Sequence, residues 1–250
     1  MKQEEIIQKI RNKLIKNIQI KLKKKKEIAV AFSGSLDSSL ITLLAKKCTK
    51  TKLLLYTIGF PDCYDFRISE KSSNNLGLKT KKIILKKEDL KNNLEEYLNL
   101  TKDNNKVSIS FTLPFYILLK YIKQKNILTG HGADTLFGGF YKYLSSKNIK
   151  NDISNCFKEF ISNLNKREFK IAKKIKKNLI MPLTDKNLSK FVLSLPSKYF
   201  IKNNQRKYIL REVGKSLGLS NEIVNLPKKS FQYSTGIIKE LKRNNYYNLL

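Results

Sequence analysis

The sequence predicts an α/β fold: a parallel sheet flanked by helices over the first 140 residues, with a helical remainder. Three observations carry that reading. EIAVAFS (Glu27–Ser33) is a continuous apolar run, as a strand buried on both faces requires. Strand-like and helix-like segments then alternate with short joins, the signature of parallel pairing through right-handed crossovers. After Phe140 no convincing strand pattern appears.

The elements follow in order. Ile6, Ile7, Ile10, Leu14, Ile18 and Ile20 recur at near-helical spacing, so a basic amphipathic helix leads in over residues 1–26. Helical chain is predicted from Asp37 to Lys47, then a strand over Lys52–Ile58 and a helix over Asp65–Asn75 that stops near Gly77. Thr80–Leu85 reads as a third strand and Leu90–Leu98 as a helix. Pro114–Lys123 reads as a helix with proline in its first turn, and Asn126–Gly130 as a fourth strand. Asp152–Lys176, Leu188–Leu195 and Gln205–Leu217 all look helical. The expected organisation is therefore residues 1–26 as the leading helix, 27–140 as the α/β core and 141–250 as a helical part of the same unit.

Composition narrows the classes. No apolar run approaches the roughly 20 residues that span a bilayer, and the charged N-terminus lacks the apolar core of a secretory signal, so a cytoplasmic protein is expected. Cys48, Cys63 and Cys156 are widely spaced and odd in number, which argues against a disulfide framework or a zinc site. The net charge of +31, from 51 basic and 20 acidic residues, favours a polyanionic partner such as tRNA. Yet the basic residues are mostly lysines scattered end to end, with no arginine-rich or aromatic-interleaved stripe.

The chemistry lies in two turns. Ser33-Gly34-Ser35-Leu36-Asp37-Ser38-Ser39 follows the first strand and opens a helix. In a parallel sheet that turn faces the ligand edge, and free N–H groups at the helix start suit a phosphate. Small side chains allow close approach, and the serines add hydroxyl donors. Neither GxxxxGK[ST] nor GxGxxG is present. Asp37 would repel a bare phosphate but favours one bridged by a divalent cation, since Mg²⁺ takes carboxylate and phosphate oxygens together. The second turn, Gly130-His131-Gly132-Ala133-Asp134, follows the fourth strand and offers Asp134 as a second carboxylate.

SGSLDSS resembles the SGGxDS signature of the PP-loop ATP pyrophosphatases, with Ser35 in place of the second glycine. Gly130 to Phe140, GHGADTLFGGF, resembles the GxGADExFGGY segment of the asparagine synthetase family's synthetase domain. Met181-Pro182-Leu183-Thr184-Asp185, Leu195-Pro196, Lys207–Glu212 and Leu226–Gly236 resemble further segments of that family, so the likeness runs from Glu27 to Gly236.

The resemblance implies a PP-loop, Rossmann-like fold of the adenine nucleotide alpha hydrolase type. It implies a ligase that adenylates a carboxylate with ATP, releases pyrophosphate and passes the acyl group to ammonia or another amine. Phe32, Ile58, Thr129 and Gly130 would contact adenine; Ser33, Gly34, Ser35, Asp37 and Ser38 would hold pyrophosphate; Asp37 and Asp134 would share Mg²⁺. Lys228 would neutralise charge at the phosphorus, with Lys229 as its rival. Aspartate and ammonia are the leading substrate pair, as in asparagine biosynthesis. Lys2 stands where the family's glutaminase domain begins with cysteine, so free ammonia, another amine or a separate amidotransferase is expected. His131 replaces the glutamate common in asparagine synthetases, and serves either as a base for the incoming amine or as a packed turn residue. Thr135 replaces an acidic residue. A PP-loop enzyme that adenylates and modifies tRNA is the alternative.

Overall fold

A five-stranded parallel sheet in the order β3-β2-β1-β4-β5 organises the computed structural model, which describes every residue except 165–166, 228, 245 and 247–250. Helix α1 (Gln3–Leu22) leads into β1 (Glu27–Ala31), α2 (Leu36–Cys48), β2 (Lys52–Gly59), α3 (Tyr64–Asn75) and β3 (Thr80–Ile84). Helices α4 (Lys87–Thr101) and α5 (Lys106–Tyr121) precede β4 (Asn126–Thr129). Then come α6 (Ala133–Leu136), α7 (Ile149–Leu164), α8 (Glu168–Lys174), β5 (Asn178–Ile180) and α9 (Lys186–Leu193). A two-stranded antiparallel ribbon, β6 (Ile201–Lys202) and β7 (Gln205–Arg206), leads to α10 (Tyr208–Ser216), α11 (Asn221–Val224), α12 (Phe231–Ser234) and α13 (Ile237–Arg243). No helix among the described residues is long and apolar enough to cross a membrane.

The chain builds β1, β2 and β3 outward in one direction and then returns to lay β4 on the other side of β1. That reversal opens a crevice beyond the carboxyl ends of β1 and β4, where ligands bind in open α/β sheets. Alternation along the strands divides the core. Ile28, Val30 and Leu128 face one cluster with α1, α2 and α10, whereas Ala29, Tyr56, Ile58 and Ile127 face another with α4 and α5. Helix α1 belongs to the first cluster. Ile6, Ile10, Leu14, Ile18 and Leu22, four residues apart, are fully buried, each contributing ~2 kcal/mol of apolar burial. Ile20, read from the sequence as part of that face, points to solvent.

Three expectations need correction. Helix α5 begins at Lys106, with Asn105 accepting from the Ser108 N–H at 2.9 Å as its cap, and Pro114 sits inside the helix rather than in its first turn. Proline removes one backbone bond, but buried flanking residues from Ile109 to Leu119 hold the helix against the sheet. Second, the C-terminal half contains β5, in register with β4 through Ile127↔Leu179. Three residues are too short to show a period, and only the exposed edge of β4 makes them a strand. Third, the run from Asp152 to Lys176 divides into α7 and α8, and Gln205-Arg206 pairs as a strand before α10 starts.

Candidate active site

The turn after β1 is shaped by backbone constraint. Gly34 has φ +75°, and a Cβ there would lie 2.6 Å from the Ile68 carbonyl oxygen of α3, so only glycine fits. Its own carbonyl accepts from Ser39 and Ser72 hydroxyls at 3.1 and 2.8 Å. Ser35 has φ −68° and ψ 168°, ordinary extended backbone preceding α2, so a side chain costs nothing where related motifs have glycine. The Ser33 hydroxyl lies 2.9 Å from that of Ser35 and 3.2 Å from that of Ser38, forming a small hydroxyl cluster at the helix start.

Asp37, in the first turn of α2, and Asp134, in the turn after β4, come together on one cation. The Lys207 ammonium lies 2.6 Å from Asp37 Oδ2 and 2.7 Å from Asp134 Oδ1. Lys207 is only 4% exposed and Asp37 7%, so the attraction acts with little water between the charges. Lys207 reaches this position from a left-handed backbone, φ 58° and ψ 33°, between β7 and α10. Tight packing encloses the triad. A Cβ on Gly139 would fall 2.2 Å from Asp134 Oδ1 and 2.3 Å from Lys207 Cε, and one on Gly130 would lie 3.1 Å from Asp37 Cβ. Lys207 is the residue at this site that the motifs leave unassigned. Its segment was recognised, but 170 residues separate it from Asp37.

A cleft of about 640 Å³ opens over these turns. Of the residues expected at the site, Phe32, Ser33, Ser35, Asp37, Ser38, Thr129, Gly130, His131 and Asp134 line it. Gly34 instead packs beneath it against α3. Ile58 is fully buried in the second core cluster, and the β2 wall of the cleft is made by Tyr56 and Thr57. Lys228 lies outside the described residues. Lys229 is placed 4.0 Å from the centre of the Tyr64 ring, a cation–π contact on the surface.

His131 is held from two sides. Its Nδ1 bonds Thr129 Oγ1, which also accepts the His131 backbone N–H at 3.0 Å, and its ring tilts against Phe115 with centroids 4.6 Å apart. Thr135 gives its hydroxyl to the Gly132 carbonyl at 3.0 Å, so the residue that replaces an acidic one closes the turn.

The donor set fits a magnesium ion. Asp37 Oδ1 is buried and has no hydrogen-bond partner among the described residues. Mg²⁺ is usually held by one or two carboxylates with phosphate oxygens and water. Among the described residues no group of three or more His, Cys, Asp or Glu could hold a metal.

A parallel sheet that reverses over a serine-rich turn, with two carboxylates converging there, is the setting of a ligand site at a sheet switch point. The asparagine synthase family model matches residues 9–181 and 158–247, and the chain belongs to that family. It is 24% identical over 255 residues to a putative glutamine-hydrolysing asparagine synthetase of Methanocaldococcus jannaschii, covering 84% of this chain and 46% of that protein. It is 25% identical over 229 residues to the Gallus gallus glutamine-hydrolysing asparagine synthetase, covering 86% and 41%. The chain thus spans less than half the length of these relatives. Among solved structures, the NMN synthetase of Francisella tularensis aligns with a TM-score of 0.48 at 14% identity, over 100% of this chain and 94% of that one.

Proposed function

We propose that this chain forms an amide by adenylating a carboxylic acid, with aspartate and ammonia as the leading pair. The observation that supports it best is the convergence of Asp37 and Asp134, from two strand ends, on one buried cationic position. ATP lies with its phosphates over the Ser33–Ser38 turn, where α2 N–H groups and hydroxyls meet phosphate oxygens. Asp37 and Asp134 would hold magnesium, which when bound would supply charge neutralisation on the triphosphate. The Lys207 side chain, on its flexible stem, shifts from the carboxylates toward the phosphates.

The acceptor carboxylate attacks the α-phosphorus, the bond to the bridging oxygen breaks, and pyrophosphate leaves with its electron pair. The amine then attacks the acyl carbon, loses a proton and expels AMP. His131, held by Thr129 Oγ1 through its Nδ1, is the candidate base for that proton. Lys228 is the further candidate for stabilising charge at the phosphorus.

The test is pyrophosphate release from Mg²⁺-ATP, screened across amino acids with ammonium and across bulk tRNA. Release that requires one amino acid, and that Asp37→Asn abolishes, supports the ligase. Release that requires tRNA replaces it with the RNA-modifying alternative, and no release under any condition refutes both. Asp37→Asn should fold normally, because the Lys207 ammonium retains Asp134 as its counter-ion.

A further inference from the structure

The cleft extends away from the phosphate turns toward α7 and α8, and that end carries a charge which phosphate chemistry leaves unused. Glu168, the first residue of α8, lines the cleft yet is only 8% exposed. Its Oε2 is buried with no hydrogen-bond partner among the described residues. Burial holds its carboxyl above the usual carboxylate range, opposed by its own backbone N–H and by the Arg167 charge. Arg167 also lines the cleft, and its Nε is likewise buried without a partner among the described residues. Phe115, Phe160 and His131 line the same cleft.

A carboxylate this deep is costly unless something cationic meets it. An anionic ligand group would worsen the cost, and an apolar one would leave it unrelieved. A protonated nitrogen with hydrogens to donate relieves both the charge and the vacant acceptor. Glu168 lines the same cleft as Asp37 and Asp134, so one ligand assembly can meet all three.

We propose that Glu168 recognises a substrate's primary ammonium group where α7 and α8 line the cleft. The inference rests on the ligase reading for its reaction, but not for its binding test. Two substrates carry such a group: an amino acid acceptor through its α-ammonium, and the nitrogen donor as ammonium before it loses its proton. In either case Glu168 discriminates against an acid or donor of similar shape that lacks the charge, because its buried Oε2 would then stay without a hydrogen-bond donor.

Calorimetric titration of the intact protein with Mg²⁺ and α,β-methylene-ATP tests this without turnover. The titrants are aspartate, other proteinogenic amino acids, succinate as the deaminated counterpart of aspartate, and ammonium chloride at constant ionic strength. Glu168→Gln should weaken the nitrogen-bearing ligand at least about tenfold, as loss of a charge-assisted hydrogen bond does, and leave succinate unchanged. A loss confined to an amino acid assigns the α-ammonium; a loss confined to ammonium assigns the donor. Glu168→Asp, which keeps the charge, should recover part of the affinity. Unchanged nucleotide affinity in both variants shows that the cleft is intact. Equal binding by wild type and Glu168→Gln overturns the proposal, as does wild-type protein that binds neither amino acids nor ammonium. Parallel pyrophosphate assays separate the two readings: binding that depends on Glu168 without any release removes the ligase and keeps the recognition site.

Discussion

The two ends of the cleft solve the problem of buried charge differently. At the strand tips, two carboxylates share one ammonium, and the glycines at 130 and 139 let backbone and side chains close around it. At the α8 end, Glu168 is buried and Arg167 half-buried, and Glu168 Oε2, Arg167 Nε and the Gln232 oxygen on α12 have no hydrogen-bond partner among the described residues. An internal cation keeps the first end assembled before any ligand arrives. The second end keeps its polar atoms poorly satisfied, which costs stability and leaves binding capacity in reserve.

That contrast breaks most readily at Lys207. Lys207→Met removes the buried ammonium that Asp37 and Asp134 share. Removing one member of a buried ion group costs about 3–5 kcal/mol, with the lower figure apt because the Asp134 side chain is partly solvated. A fall in the urea midpoint measures it, and an unchanged midpoint would mean that water, rather than the lysine, balances the pair. Gly139→Ala attacks the same end through shape. The added methyl collides with Asp134 and Lys207, an overpacking of about 1–3 kcal/mol, again visible in the urea midpoint.

Glu168→Gln sharpens the comparison from the opposite side. The folded carboxyl has a raised pKa, chiefly from burial, so ionising it costs more in the fold than in the unfolded chain. Stability is therefore lost as pH rises from the usual glutamate range through the folded value, and the loss is complete above it. The glutamine variant should melt higher than the parent at neutral pH. The difference should shrink as pH falls below the ordinary glutamate range, which scanning calorimetry at several pH values would reveal. The smallest effect belongs to Ser35→Gly. Ser35 has ordinary backbone angles and no side-chain capping bond, so the change should cost only a few tenths of a kcal/mol.

Much of this architecture was legible in the chain. The four longer strands and the helices between them appear close to where apolar periodicity put them, because each is long enough to show its repeat. Asp37 and Asp134 stood out as small-residue turns interrupted by an acid, and they do meet. Lys207 was hidden because a lysine among 51 basic residues carries no local mark, and only the path of β6 and β7 brings it to the triad. Glu168 gave no signal either, since an isolated glutamate at a helix start ordinarily faces water. Ile58 shows the opposite limit: strand alternation sends it into the core while Tyr56 and Thr57 reach the cleft.

Local physics, written in periodicity, glycine placement and turn chemistry, was enough to determine the parallel sheet, its ligand edge and the two acidic turns. Tertiary structure alone decided which cation sits between those turns, which residues line the far end of the cleft, and that three residues after α8 form a fifth strand. The reason is distance along the chain. A hydrophobic repeat acts between neighbours and is visible in any window, whereas an ion pair across 170 residues or a strand borrowed from an open edge exists only once the rest has folded.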